Sequence, residues 1–197
     1  MELLSIKEEN KLLYYLNISI KLNLTRNELR NRIKFHEYER LDENTKLKLI
    51  DEEETKVEDL MKNPIIIKNV KKYEIISEKI LQKLILEDIE FFMKELGDSF
   101  CFIGSENKIK IGNNYNYIDF LLYNIKFKCY VVIELKITEL RKEHIGQIEV
   151  YMNYIDKNVK TINEDKTIGI IICKRQNKFI MEYCSDKRIV SKEYELV

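Results

Sequence analysis

Two carboxylates and one ammonium group, Asp119, Glu134 and Lys136, fall inside runs that are otherwise apolar. The first run reads Tyr-Asn-Tyr-Ile-Asp-Phe-Leu-Leu-Tyr over 115–123, and the second reads Cys-Tyr-Val-Val-Ile-Glu-Leu-Lys over 129–136. An acidic side chain within an apolar strand loses several kcal/mol in desolvation unless it meets a cation or hydrogen-bond donors. Two such residues converging with a lysine therefore suggest a chemical site rather than a packing surface.

Convergence depends on the elements that carry them. In the first run Ile118, Phe120 and Leu122 alternate with Tyr117, Asp119 and Leu121, and the second run is β-branched and aromatic, so both predict strands. A period of two puts Glu134 and Lys136 on one face, about 7 Å apart, opposite to Ile133 and Leu135. Asp119 precedes Glu134 by 15 positions, enough for a strand end, a turn and a second strand. It joins the pair if the two strands are neighbours in register. The plainer alternative leaves Glu134 and Lys136 where a strand exits the core and Asp119 on a solvated face.

The order Asp, then Glu-x-Lys, resembles the PD-(D/E)xK nuclease superfamily, with Ile118 in place of the proline. The wider text resembles the YhcG family of that superfamily. The segments are Phe-Cys-Phe-Ile-Gly at 100–104, Tyr-Ile-Asp-Phe-Leu-Leu-Tyr at 117–123, Val-Val-Ile-Glu-Leu-Lys at 131–136, Ile-Gly-Gln at 145–147 and Thr-Ile-Gly-Ile-Ile-Ile-Cys-Lys at 167–174. The resemblance covers roughly residues 77–197. It implies an α/β restriction-endonuclease-like three-layer sandwich with a mixed central sheet, and a metal-dependent DNA endonuclease that hydrolyses phosphodiester bonds. Asp119 and Glu134 would hold Mg²⁺ or Mn²⁺ through carboxylate oxygens, with the backbone carbonyl of Leu135 as a further ligand. Lys136 would orient the attacking water and stabilise the transition state. A first-helix glutamate often assists the metal in the superfamily, which makes Glu87 the candidate and Glu90 the fallback. Gln147 matches a residue that orients water or substrate phosphate; a solvated helix glutamine is the simpler reading. Two further classes stay open: a catalytically silent nucleic-acid-binding module and a protein-interaction subunit that retain the fold.

Composition adds limits. The 34 basic and 34 acidic residues cancel, so any attraction to nucleic acid must come from local clusters. Lys108, Lys110, Lys126, Lys128 and Arg141 are the candidates, on strands, turns or a helix start expected to flank the site. Cys101, Cys129, Cys173 and Cys184 lack Cys-x-x-Cys spacing, and His36 and His144 stand far apart, so neither a disulfide framework nor a zinc motif is indicated. No apolar run approaches the roughly 20 residues of a membrane span, and the first residues lack the order of a secretory leader. The chain reads as cytoplasmic, with DNA as its partner, no membrane, and homo-oligomerisation left open.

The remaining chain divides into three. Residues 1–41 predict a helical hairpin, one helix over 6–21 and a second from Thr25, in a Thr25/Glu28 capping box, to about Leu41. It resembles the end of the family's helical N-terminal domain. Residues 42–63, centred on Asp51-Glu52-Glu53-Glu54, read as an acidic linker or solvated helix face. The nuclease-like domain then spans 64–197. Within it a long helix from cap Ser77 to Leu96 stops at Gly97. Strands follow near 99–103 and 107–111, with a turn at Gly112-Asn113-Asn114. A helix over 139–156 and a central strand over 167–173 come next. Residues 178–183 predict a strand paired to that one, and the tail to Val197 an edge element.

Overall fold

The computed structural model describes residues 2–50, 53–57, 59 and 61–197. They fall into two compact units, divided between Lys62 and Asn63. The first unit is helical, with α1 at Glu9–Lys21, α2 at Arg26–Lys34 and α3 at Glu43–Ile50. Thr25 and Glu28 form the expected capping box: Glu28 Oε2 accepts from the Thr25 amide at 2.8 Å, and Thr25 Oγ1 accepts from the Glu28 amide at 3.3 Å. Helix α2 stops at Lys34 rather than continuing to Leu41, and His36 takes φ +51° in the turn that follows. That turn brings Glu37 inside, where its carboxylate accepts from Tyr14 Oη and Arg32 Nη1, each at 2.9 Å, and lies 3.6 Å from Lys62 Nζ. A continued helix would follow local propensity; the buried carboxylate and its donors decide otherwise. Tyr15, Tyr38 and Leu41 form the small core.

The stretch 42–63 has more structure than its charge density indicates. It contains α3, and Thr45, Val57, Met61 and Lys62 are buried. Asp51 and Glu52 of the acidic run lie outside the described residues.

The second unit is built on a six-stranded mixed sheet in the order β1-β6-β5-β4-β3-β2. Strands β1 (Ile65–Ile67), β6 (Ile189–Leu196), β5 (Asp165–Arg175) and β4 (Cys129–Glu139) run parallel, while β3 (Asn114–Asn124) and β2 (Phe100–Ile111) continue antiparallel. Phe120 and Leu121 are adjacent and therefore point to opposite faces. Phe120 meets Phe92 of α5 (Ile89–Leu96), ring centroids 5.9 Å apart. Leu121 joins a cluster containing Ile148, Met152 and Ile155 of α6 (Lys142–Asn158). The result is an α/β sandwich, with α4 (Glu78–Glu87) and α5 forming one helical layer and α6 the other.

Four expectations change in this unit. Helix 77–96 is two helices, because Asp88 (φ −139°) leaves the helical region and caps α5 by accepting from the Phe91 amide at 3.2 Å. The strands at 99–103 and 107–111 are one strand, β2, carried past irregularities by a register shift between Phe102 and Gly104 and by φ +49° at Glu106. Residues 178–182 form the short helix α7, capped by Asn177, rather than a strand. The tail is then free to pair in parallel with β5, and β1 covers its other side, so β6 is internal instead of an edge.

The close packing of α6 on the sheet is set at Gly169. A Cβ there would lie 2.5 Å from Met152 Sδ and 2.9 Å from Ile148 Cδ1.

Candidate active site

The strands meet as the alternation predicts. Pairing of β3 with β4 runs from Asn124 opposite Cys129 to Phe120 opposite Ile133. One step beyond, the Asp119 carboxylate turns to the open β4 backbone and accepts from the Leu135 amide at 2.7 Å. Glu134 is 2% exposed; its Oε2 accepts from Lys136 Nζ at 3.2 Å. Its Oε1 is buried without a hydrogen-bond partner among the described residues. Lys136 is also buried, and its ammonium lies 3.8 Å from Glu78 Oε1 on the first turn of α4. Gln82 Nε2, one turn further along α4, donates to the Asp119 carbonyl at 3.3 Å.

Negative charge exceeds positive charge here, and the titration behaviour follows. Burial, reinforced by the charge of Asp119, pushes the Glu134 carboxyl up to about 8 despite Lys136. Burial also raises Asp119, opposed by the Leu135 amide and Lys136, with Glu78 and Glu106 adding to the rise. A divalent cation would correct both the excess charge and the orphaned Glu134 oxygen, so the residues fit a hard, oxygen-liganded ion. No three His, Cys, Asp or Glu residues converge on one point among the described residues. Asp119 and Glu134 would therefore share such an ion with backbone and substrate oxygens.

The other predicted residues divide by which end of the sheet they occupy. Gln147 lies on α6, its Nε2 donating to Tyr151 Oη at 3.1 Å, which leaves its carbonyl oxygen as an acceptor. Arg141 caps the start of α6, just beyond the end of β4 that carries Lys136. Lys108 and Lys110 lie on β2, on the hairpin that leads along β3 to Asp119. Lys126 and Lys128 do not flank the site. They occupy the β3–β4 turn, five or more residues from Glu134 along β4, roughly 17 Å away. Glu87 is likewise not brought in: it ends α4, about 14 Å along the axis from Glu78. There it pairs with Lys71 at 2.5 Å, while the fallback Glu90 pairs with Lys94 at 2.8 Å.

Three residues at the site had not been singled out. Glu78 directly follows the Ser77 cap, so its first-turn position was readable, though not which helix end faces the sheet. Glu106 lies opposite Asp119 by extension of the Ser105–Phe120 and Asn107–Ile118 pairs. His144 accepts from the Arg141 amide through Nδ1 at 3.1 Å. Burial, with the charges of Lys136 and Arg141, holds it below the ordinary imidazole range. Because Nδ1 accepts, Nε2 is the nitrogen left to carry the proton of the neutral ring.

Comparison with known proteins bears on the whole domain. The solved structures it resembles include a repair endonuclease from Pyrococcus abyssi, at TM-score 0.44 and 17% identity over 62% of this chain and 48% of that one. Another is an EndoMS–dsDNA complex, at TM-score 0.41 and 20% identity over 64% of this chain and 48% of that one. In sequence, the chain is 24% identical over 179 residues to the Escherichia coli (strain K12) protein named "Putative nuclease YhcG". That match covers 88% of this chain and 48% of the relative, so the chain spans about half the length of the protein it matches. The profile of the YhcG PDDEXK nuclease domain matches residues 58–197, which takes in the whole sheet and every residue of the site. The chain belongs to the YhcG PDDEXK nuclease family.

Proposed function

We propose that the protein is a DNA endonuclease that hydrolyses phosphodiester bonds with Mg²⁺ or Mn²⁺. The observation that carries this reading is the buried Glu134 carboxylate, which has one cationic partner, one orphaned oxygen and a second carboxylate, Asp119, across the strand end. Asp119 and Glu134 hold the ion, with the Leu135 carbonyl as a further ligand. When bound, the ion supplies Lewis acidity toward the scissile phosphate and compensates charge in its transition state.

Lys136 cannot be a ligand, because an ammonium repels the cation. Its stem runs past Glu134 on the same strand, and the carboxylates of Glu134 and Glu78 hold its charge in place. From there it donates to the attacking water or to a non-bridging phosphate oxygen. Hydrolysis forms one water O–P bond, breaks one P–O ester bond and leaves the departing oxygen protonated. Gln147 offers its free carbonyl oxygen to orient water, and His144 presents Nε2–H at the same helix end.

The test is incubation of the purified protein with plasmid, linear and branched DNA in Mg²⁺, Mn²⁺ or chelator. Cleavage with either ion and none in chelator is expected; intact DNA under every condition would overturn the reading. Lys136→Met keeps the apolar stem and removes the donor. It should preserve metal affinity by calorimetry while slowing single-turnover cleavage by two to three decades, roughly the effect of losing one transition-state donor.

A further inference from the structure

Beyond Asp119, β3 continues into a ribbon with two unlike faces. Ile109 and Ile118 are buried in the cluster on α6, with Ile111 packed against it. The alternate positions, Lys108, Lys110, Tyr115 and Tyr117, are all exposed, the two tyrosines by 56% and 53%. They form two cross-strand pairs, Lys108 opposite Tyr117 and Lys110 opposite Tyr115. Lys108 Nζ also reaches diagonally over the Tyr115 ring, 3.7 Å from its centroid. One face of the hairpin is therefore a ladder of lysine and tyrosine. The next step along β3 is Asp119, two residues beyond Tyr117, and Glu106 opposite it ends the basic stretch.

Nothing in the fold requires this composition. Tyrosines of that exposure add little to the core, and a solvated hairpin tip is served as well by Ser, Thr or Glu. What the ladder supplies is a repeat of one aromatic ring and one cation about every 6.8 Å along the ribbon, twice the rise per strand residue. An aromatic ring accepts any base through its π-face, and a lysine beside it meets the phosphate that follows; together they suit a strand whose bases are unstacked and splayed. In a closed duplex the bases are stacked on each other, and only the lysines would find partners.

We propose that the exposed face of the β2–β3 hairpin is a track for unpaired nucleotides adjoining the scissile phosphate, with bases stacked on Tyr117 and Tyr115 and phosphates met by Lys108 and Lys110. The proposal rests on the nuclease reading and narrows its substrate to DNA that is single-stranded, or made so, on one side of the cut. Lys108 exchanges its contact with the Tyr115 ring for a phosphate oxygen when the strand binds. Glu106 repels phosphate and so turns the backbone away from β2 toward Asp119.

The experiment measures binding by fluorescence anisotropy in a Glu134→Gln background, so that no DNA is cut. The DNAs are a 20-nucleotide single strand, a blunt duplex and a duplex with a single-stranded flap. Tyr115→Ala and Tyr117→Ala should each weaken single-strand and flap binding by about fivefold or more, the range for losing one base stack. Tyr→Phe at the same positions should restore it. Lys108→Gln and Lys110→Gln should reduce the salt dependence of that binding. A 2-aminopurine base placed next to the cut should be quenched by the protein, and this quenching should disappear with Tyr117→Ala. Equal losses on duplex and single strand, failure of Tyr→Phe to restore binding, or an unquenched base would overturn the track while leaving the nuclease reading intact. If none of the three DNAs is bound, and the intact protein cuts none of them with metal, both readings fall.

Discussion

Glu37 of the helical unit and Glu134 of the sheet unit are both buried, and they are treated in opposite ways. Glu37 of the helical unit is surrounded by donors: Tyr14 Oη and Arg32 Nη1 at 2.9 Å, with Lys62 at 3.6 Å. Glu134 of the sheet unit is buried more deeply, yet receives one ammonium, faces a second carboxylate and leaves an oxygen without a partner among the described residues. Both are carboxylates in apolar surroundings, so residue type and burial do not separate them; the count of donors does. A satisfied buried charge holds a fold together, while an under-satisfied one marks a place kept open for something else to bind.

That contrast is tested most severely by removing the charges. Glu134→Gln and Asp119→Asn should each lower cleavage by at least three decades, about 4 kcal/mol of transition-state stabilisation. Both should abolish Mg²⁺ binding by calorimetry. Neither should lower the melting temperature in chelator, and an increase is expected above about pH 8, where both carboxyls are ionised and either substitution relieves their repulsion. Metal affinity unaltered in both variants would end their assignment as ligands. Glu37→Leu should act in the reverse sense. Removing the carboxylate on which three donors converge is expected to destabilise the helical unit by about 3–5 kcal/mol, read by denaturant melts of the helical signal. A Glu37 variant as stable as the parent would erase the distinction.

Those outcomes depend on residues that were unequally legible beforehand. Alternating apolar positions made β3 and β4 legible and put Glu134 and Lys136 on one face, but grouping Asp119 with them rested on the resemblance to the PD-(D/E)xK order, because alternation alone left a solvated face open. Glu87 was the wrong expectation for the first helix. A helical pattern shows which residues share a side, but not which end of the helix approaches the sheet, and it is Glu78 that approaches. Lys126 and Lys128 failed for a related reason. They are close to Glu134 in the chain, but β4 places them at its far end. The break at Asp88 and the helix at 178–182 were hidden because side-chain caps compete with propensity at single positions. The internal place of β6 depends on β1, which is separated from it by more than a hundred residues.

A pH series sharpens the comparison further. The folded pKa of Glu134, about 8, lies above the ordinary carboxylate range, so the folded state holds the extra proton more tightly than the unfolded one. The stability this gives is fully present below the ordinary range and is lost as pH rises through about 8. Metal-free protein should therefore melt at progressively lower temperature between roughly pH 4.5 and pH 8. Saturating Mg²⁺ should flatten the decline, since the cation binds the deprotonated form, and Glu134→Gln should remove this component. A parent and a Glu134→Gln variant with superimposable pH profiles would show that the carboxyl titrates normally.

Gly169 gives the sheet a way to act on the site from a distance. The missing side chain lets Met152 and Ile148 sit almost on the β5 backbone, and α6, which carries Gln147 directly before Ile148 and His144 one turn earlier, is seated at that contact. The helix behaves as a stiff beam seated along its buried residues Ile148, Tyr151, Met152 and Ile155, and the contact at Gly169 is one of its supports. A single methyl group at Gly169 would raise the support, and a lift at one point of a stiff beam becomes a tilt along its length. Distance from the scissile bond gives no protection against such a change, because the beam transmits what a loop would absorb. The proposed chemistry would then be tuned from the middle of the sheet, by a residue that has no side chain to offer.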